Sequence, residues 1–129
     1  MDDTTVSTLA AGRYLLLTSY RADGSAVSTP VWVVRDGAAL GVWTVADSWK
    51  VRRVRARADV LVGPCDIRGN PTGAQVEATA EICDARTTAR YRAEIARKYG
   101  LSGRLVLLAS RLRRGTKGTV GIRVVPSPR

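Results

Sequence analysis

The chain has 129 residues, 45% of them hydrophobic, with 21 basic and 11 acidic side chains and a formal net charge of +10. That length implies one domain with a real core, and the charge implies an anionic partner without choosing among nucleic acid, a membrane surface and an anionic ligand. Histidine is absent, which excludes Ser-His-Asp and Cys-His catalysis, His-ligated zinc and His-ligated haem.

Thr4 to Ala11 reads as a short helix with Val6, Leu9 and Ala10 on one side, ended by Gly12. Arg13 to Tyr20 reads as a strand, and Ala22-Asp23-Gly24-Ser25 as a turn in which Gly24 supplies positive φ. Ala26 to Val34 is a second strand interrupted by Pro30. Proline cannot donate to a ladder, so Pro30 marks an edge, a bulge or an opening of the sheet. Asp36-Gly37 is a hairpin signal, and Ala39 to Val45 is the third strand.

Asp47 to Ala58 reads as a helix whose apolar stripe is Val51, Val54 and Ala58, with Arg52, Arg53, Arg55 and Arg57 largely on the other faces. Val60 to Asp66 is a fourth strand, and Arg68-Gly69-Asn70-Pro71 a turn. Gln75 to Cys83 is a fifth strand, with Val76, Ala78, Ala80 and Ile82 pointing inward. Asp84 caps a helix that runs to Tyr99, where Gly100 stops it. Arg104 to Arg113 extends the helical region, although Leu105 to Leu108 reads equally well as a buried strand. The cluster Arg111, Arg113, Arg114 and Lys117 reads as a solvated loop, and Thr119 to Val125 as the last strand. The total is a mostly β chain of six strands with inserted helices, joined by hairpins into an antiparallel barrel.

Cys65 and Cys83 fall out of register on one hairpin, so no disulfide is expected and a reducing cytoplasm fits. No apolar run reaches the roughly 18 residues of a membrane span, and the acidic, polar N-terminus is not a secretory signal.

The chemistry concentrates where the third strand meets the first arginine-rich helix. Thr44 and Ser48 bring hydroxyls, Lys50 and Arg53 bring cations, and the helix start brings free backbone N–H groups: a candidate phosphate site. The bland reading is an N-capped, solvated basic helix, and it holds best for Arg55 and Arg57. A nucleic-acid site would want exposed aromatics interleaved with the charge; only Trp49 qualifies, so no nucleic-acid partner is expected.

The order of motifs carries a resemblance. Ser28-Thr29-Pro30-Val31-Trp32-Val33 is followed by the Asp36-Gly37 hairpin, then Thr44, Ser48, Lys50 and Arg53, then Val60 to Asp66, Arg68-Gly69 and Lys98-Tyr99-Gly100. This resembles the pyridoxamine-phosphate-oxidase-like split β-barrel proteins, and among them the flavin/deazaflavin oxidoreductases that use coenzyme F420. The resemblance implies an FMN-binding-type split barrel, a homodimer with the cofactor at the subunit interface, and a small-molecule substrate. It implies a ring resting against Ser28, Thr29, Pro30 and Val31. It also implies a phosphate among Thr44, Ser48, Lys50 and Arg53, with backbone contacts from Val45, Ala46 and Trp49. A polyanionic tail gives the extra arginines a use. FMN is the alternative cofactor, and a non-catalytic F420 carrier the alternative role.

Overall fold

The computed structural model describes residues 3–114 and 118–127, the side chains of 3 and 101–114 excepted. The element order is α1 (Asp3–Ala11), β1 (Leu15–Tyr20), β2 (Ala26–Val31), β3 (Val33–Asp36), β4 (Ala39–Val45), α2 (Trp49–Ala56), β5 (Asp59–Pro64), β6 (Val76–Ile82), α3 (Ala85–Arg114) and β7 (Thr119–Pro126). Seven strands, not six, form one antiparallel sheet in the order β2-β1-β5-β6-β7-β4-β3, curled into a half-barrel.

The extra strand has a simple cause. The run Ala26 to Val34 is continuous in sequence but divides at Trp32, because its two halves pair with different partners. β2 pairs with β1 at one edge of the sheet and β3 pairs with β4 at the other. The two edges are therefore joined through a single residue, which forces the sheet to curl. Pro30 lies on edge strand β2 opposite Leu16, where its missing N–H costs no ladder bond.

Inside the curl sits the main core: Leu15 and Leu17 of β1, Val33, Leu40 and Val42, Val60 and Val62, and Ile122 and Val124. α2 caps it with Val51 and Val54. The helix is shorter than Asp47 to Ala58. Arg57 adopts an extended conformation, so Ala58 leaves the stripe and is exposed. On the outer side of the sheet, Tyr91, Ile95 and Tyr99 of α3 pack with Val34 in a second cluster. Tyr91 is fully buried, and a Cβ built on either Gly41 or Gly121 would lie 2.8 Å from its ring. Its hydroxyl donates to Asp36 at 2.5 Å, which fixes the β3–β4 hairpin to α3.

Asp84 accepts from the Thr87 N–H at 2.8 Å, the expected cap of α3. Gly100, at φ 61° and ψ −141°, breaks the helix where a stop was expected, but a second helical stretch runs on to Arg114. Leu105 to Leu108 are thus helical and not a strand. Arg111, Arg113 and Arg114, expected in a loop, lie instead in this helical stretch; Lys117 and the side chains of the cluster lie outside the described residues. Among the described residues no helix is long and apolar enough to cross a membrane. Cys65 and Cys83 are free thiols, and burial raises the pKa of each.

Lys98 ties α1 to the sheet. Its ammonium donates to the carbonyls of Ala10 at 2.5 Å, Gly12 at 2.8 Å and Val33 at 2.7 Å, close to the helix C-terminus. Those acceptors favour the charge; burial and then the Arg13 guanidinium oppose it, and the pKa falls from 10.5 to about 8. Between those two values the unfolded chain holds more protons than the folded one, so the Lys98 contribution to stability rises with pH. The melting-temperature difference between wild type and Lys98→Met is expected to move in favour of wild type as pH rises from 8 to 10.5. A constant difference across that window would show that folded Lys98 keeps its proton.

Candidate functional site

Residues at the start of α2 and along its length line two separate depressions. The first is a cleft of about 330 Å³ at one end of β4. Thr29, Pro30 and Val31 of β2, with Trp32 beyond them, form one wall. Trp43, Thr44 and Val45 of β4 form another, and Tyr14, Lys50 and Ile67 complete it. Tyr14 and Ile67 come from segments far away in sequence. Ile67 is 67% exposed, at the tip of a loop held by Asp66, which accepts from the backbone N–H groups of Arg68 and Asn70, each at 2.9 Å.

Lys50 is the charged group of the cleft. It is half-buried and has no hydrogen-bond or ion-pair partner among the described residues. Burial, and then the like charge of Arg53, lower its pKa. A partly desolvated cation without a counter-charge favours an anionic ligand. Thr44, only 7% exposed, lines the same cleft. Ser48 is the N-cap residue of α2, and its carbonyl accepts the Arg52 N–H at 3.2 Å. Its hydroxyl, however, makes no capping bond and is buried without a partner. The N–H groups of Trp49, Lys50 and Val51 in the first turn have no intrahelical acceptor by construction. Hydroxyls, a cation and free N–H groups are the donor set that a phosphate monoester takes, so the residues present fit a phosphorylated cofactor. The buried Trp43 Nε1 is a further donor without an acceptor.

The second depression is a groove of about 890 Å³ between α2 and the β1–β2 turn. Arg21, Arg52, Arg53 and Arg57 line it, together with Tyr20 and Trp49. Arg53 Nε donates to Ser19 Oγ at 2.8 Å, and burial followed by the nearby charge of Arg21 lowers its pKa. Arg57 lies 4.1 Å from the Tyr20 ring centroid and pairs with Asp59 at 2.8 Å. Arg52 lies 4.8 Å from the ring centroid of Trp49, which is 68% exposed.

The expected site residues thus divide. Thr29, Pro30, Val31, Thr44, Val45 and Lys50 meet in the cleft, whereas Trp49 and Arg53 lie in the groove. Ser28 and Ser48 line neither: the Ser28 hydroxyl is hydrogen-bonded to that of Thr18 at 2.8 Å, and the Ser48 hydroxyl is buried at the start of α2. Ala46 packs against the core and donates its N–H to Gly118 at 2.9 Å. Of the arginines on α2, Arg52 and Arg53 line the groove and Arg55 does not; Arg57, just past the helix, lines it too. Sequence reasoning missed Tyr14, Trp32, Trp43 and Ile67 in the cleft and Tyr20 and Arg21 in the groove. Trp43 adjoins Thr44 and was within reach of the strand assignment. Trp32 likewise adjoins Val31; Tyr14, Ile67, Tyr20 and Arg21 are brought in by tertiary packing and carry no local signal.

No protein-family model matches the chain, and no curated protein matches it in sequence. Solved structures do match its fold. A candidate pyridoxamine 5′-phosphate oxidase from Listeria innocua is 16% identical, with 98% of this chain and 93% of that one covered and a TM-score of 0.68. An F420 reductase is 20% identical over 99% of this chain and 97% of its own, with a TM-score of 0.64. The heme storage protein HutZ from Vibrio cholerae is 13% identical over 98% and 91%, with a TM-score of 0.70. At these identities the likeness carries the architecture alone. The chain has the fold of the pyridoxamine 5′-phosphate oxidase-like split-barrel proteins, a fold shared by redox enzymes and by a storage protein.

Proposed function

We propose that this protein is an F420-dependent oxidoreductase that passes a hydride from the reduced deazaflavin to an unsaturated small molecule. The observation that carries this reading is Lys50: a half-buried cation without a partner among the described residues, in a cleft whose other donors suit a phosphate. When bound, the deazaflavin supplies two-electron reducing power, which no side chain of this protein has. The chain's own residues do the rest. Lys50, Thr44, Ser48 and the first-turn N–H groups of α2 hold the phosphate. Thr29 to Val31 present backbone to the ring, and Trp32, Trp43 and Ile67 keep water from it. Among the described residues, the titratable groups lining the cleft are Tyr14 and Lys50, so a proton needed by the product comes from Tyr14 or from water.

FMN carries a phosphate on the same kind of chain, and the cleft alone does not discriminate between the two. The groove favours F420: four arginines beside the phosphate site have a use when the cofactor continues into a polycarboxylate tail. A second copy of the chain, covering the cleft beside exposed Ile67, completes the site in this reading. A non-catalytic F420 carrier is the second reading, favoured by a cleft with no carboxylate among its described lining residues.

Titration of tryptophan fluorescence with F420, and in parallel with FMN, tests this. Saturable quenching by F420 at micromolar concentration or below, with weaker FMN binding, is the expected result. Binding of FMN alone would transfer the protein to the flavin branch. Binding of neither would remove the cofactor reading, and F420 binding without turnover across enones and quinones would leave the carrier.

A further inference from the structure

Val33, the first residue after the seam between β2 and β3, is fully buried, and neither of its backbone polar groups is left to solvent. α3 supplies partners to both. Its N–H donates to Tyr99 Oη at 3.0 Å, and its carbonyl accepts from Lys98 Nζ at 2.7 Å. The Tyr99 hydroxyl then donates to the Arg13 carbonyl at 2.7 Å, while Lys98 also takes the carbonyls of Ala10 and Gly12. The Tyr99 ring stacks on Trp32, with centroids 4.5 Å apart and planes 13° from parallel. Trp32 is itself a wall of the cleft.

We infer that Lys98 and Tyr99 are positioning residues that lock Trp32 against the cleft, and so fit the cleft to a flat aromatic ring system. The seam is where the strand is least restrained, because neither ladder includes Trp32. An indole there has no lattice of β bonds to fix its angle; two hydrogen bonds to the next residue and one ring stack fix it instead. Both contacts come from adjacent residues of one helix that also tie down the α1–β1 connection. The lock therefore joins α1, α3 and the sheet seam behind a single ligand-facing ring. Backbone satisfaction alone would need the Tyr99 hydroxyl but not its stack. A packing role alone would need the ring but not the hydroxyl. Tyr99 uses both on the same two residues, Trp32 and Val33.

The ligand class rests on the cofactor reading above, but the lock does not, and the test separates them. Tyr99→Phe keeps the ring and removes the hydroxyl; Lys98→Met removes the ammonium. The first readout needs no ligand: acrylamide quenching in a Trp49→Phe background, which removes the exposed indole. Both variants are expected to show higher quenching than that background, with far-UV circular dichroism unchanged. The second readout is F420 and FMN affinity in the otherwise native chain, expected to weaken about tenfold in each variant, the size of one or two lost hydrogen bonds. Lys98→Arg, which keeps a cationic donor, is expected to recover part of both signals. Unchanged quenching overturns the lock whatever the ligand result. Raised quenching with unchanged affinity overturns the claim that Trp32 shapes the cleft. If the native chain binds neither cofactor, the cofactor reading falls and the quenching result alone decides the lock.

Discussion

Val54→Asp is expected to abolish the native fold. Val54 is 3% exposed and, with Val51, is what α2 contributes to the core inside the curled sheet. Val54 is part of a cluster of buried apolar side chains, and nothing within that cluster offers a carboxylate a hydrogen-bond donor or a cation. An unpaired charge at such a position costs more than about 4 kcal/mol, against a total stability on the order of 5–15 kcal/mol for a domain of this size. The arginines of α2 offer no rescue. They project from the faces that line the groove or meet water, and reaching Val54 would require turning the helix over. Loss of the cooperative thermal transition, with loss of near-UV circular dichroism, is the expected measurement. A soluble, cooperatively melting Val54→Asp protein would mean that another face of α2 is the buried one.

That prediction follows from the sequence, because helical periodicity is local: Val51 and Val54 are one turn apart and their exposure follows from spacing. The hairpin turns were legible for the same reason, and both carry the expected left-handed glycine, Gly24 at φ 87° and Gly37 at φ 60°. The division of Ala26 to Val34 was not legible. Ala26 to Val31 and Val33 to Val34 are all strand residues, and the choice of partners, β1 before Trp32 and β4 after it, makes them two strands. The helical state of Leu105 to Leu108 was ambiguous because four consecutive apolar residues suit either period.

The site divides in the same way. That Thr44 and Lys50 share a cleft was within reach of the sequence, because a strand end and the first turn of the next helix are contiguous. The division between cleft and groove was not: Trp49 and Arg53, one turn apart, share the groove, whereas Lys50, rotated about 100° from Trp49 around the helix, faces the cleft. The lock behind Trp32 joins residues 65 and 66 positions apart, and nothing in the local pattern of Lys98-Tyr99-Gly100 announces Val33 as its target.

Lys50→Ala is the variant that bears most directly on function. The side chain holds no element in place: it makes no hydrogen bond or ion pair among the described residues, so its removal leaves the fold intact. Removal also relieves a desolvated charge and its repulsion from Arg53, and the apo protein is expected to melt at the same temperature as wild type or slightly higher. Binding moves the other way. A charge-assisted bond to a phosphate contributes about 1.5–3 kcal/mol, so F420 affinity is expected to fall roughly 10- to 100-fold. The loss should shrink as salt concentration rises, because screening weakens the wild-type interaction and not the variant's. An unaltered melting temperature together with weakened, less salt-sensitive binding would place Lys50 on the ligand. The opposite pattern, a destabilised protein that binds F420 with wild-type affinity, would remove Lys50 from the site and leave the arginine groove as the anchor for the anionic part of the cofactor.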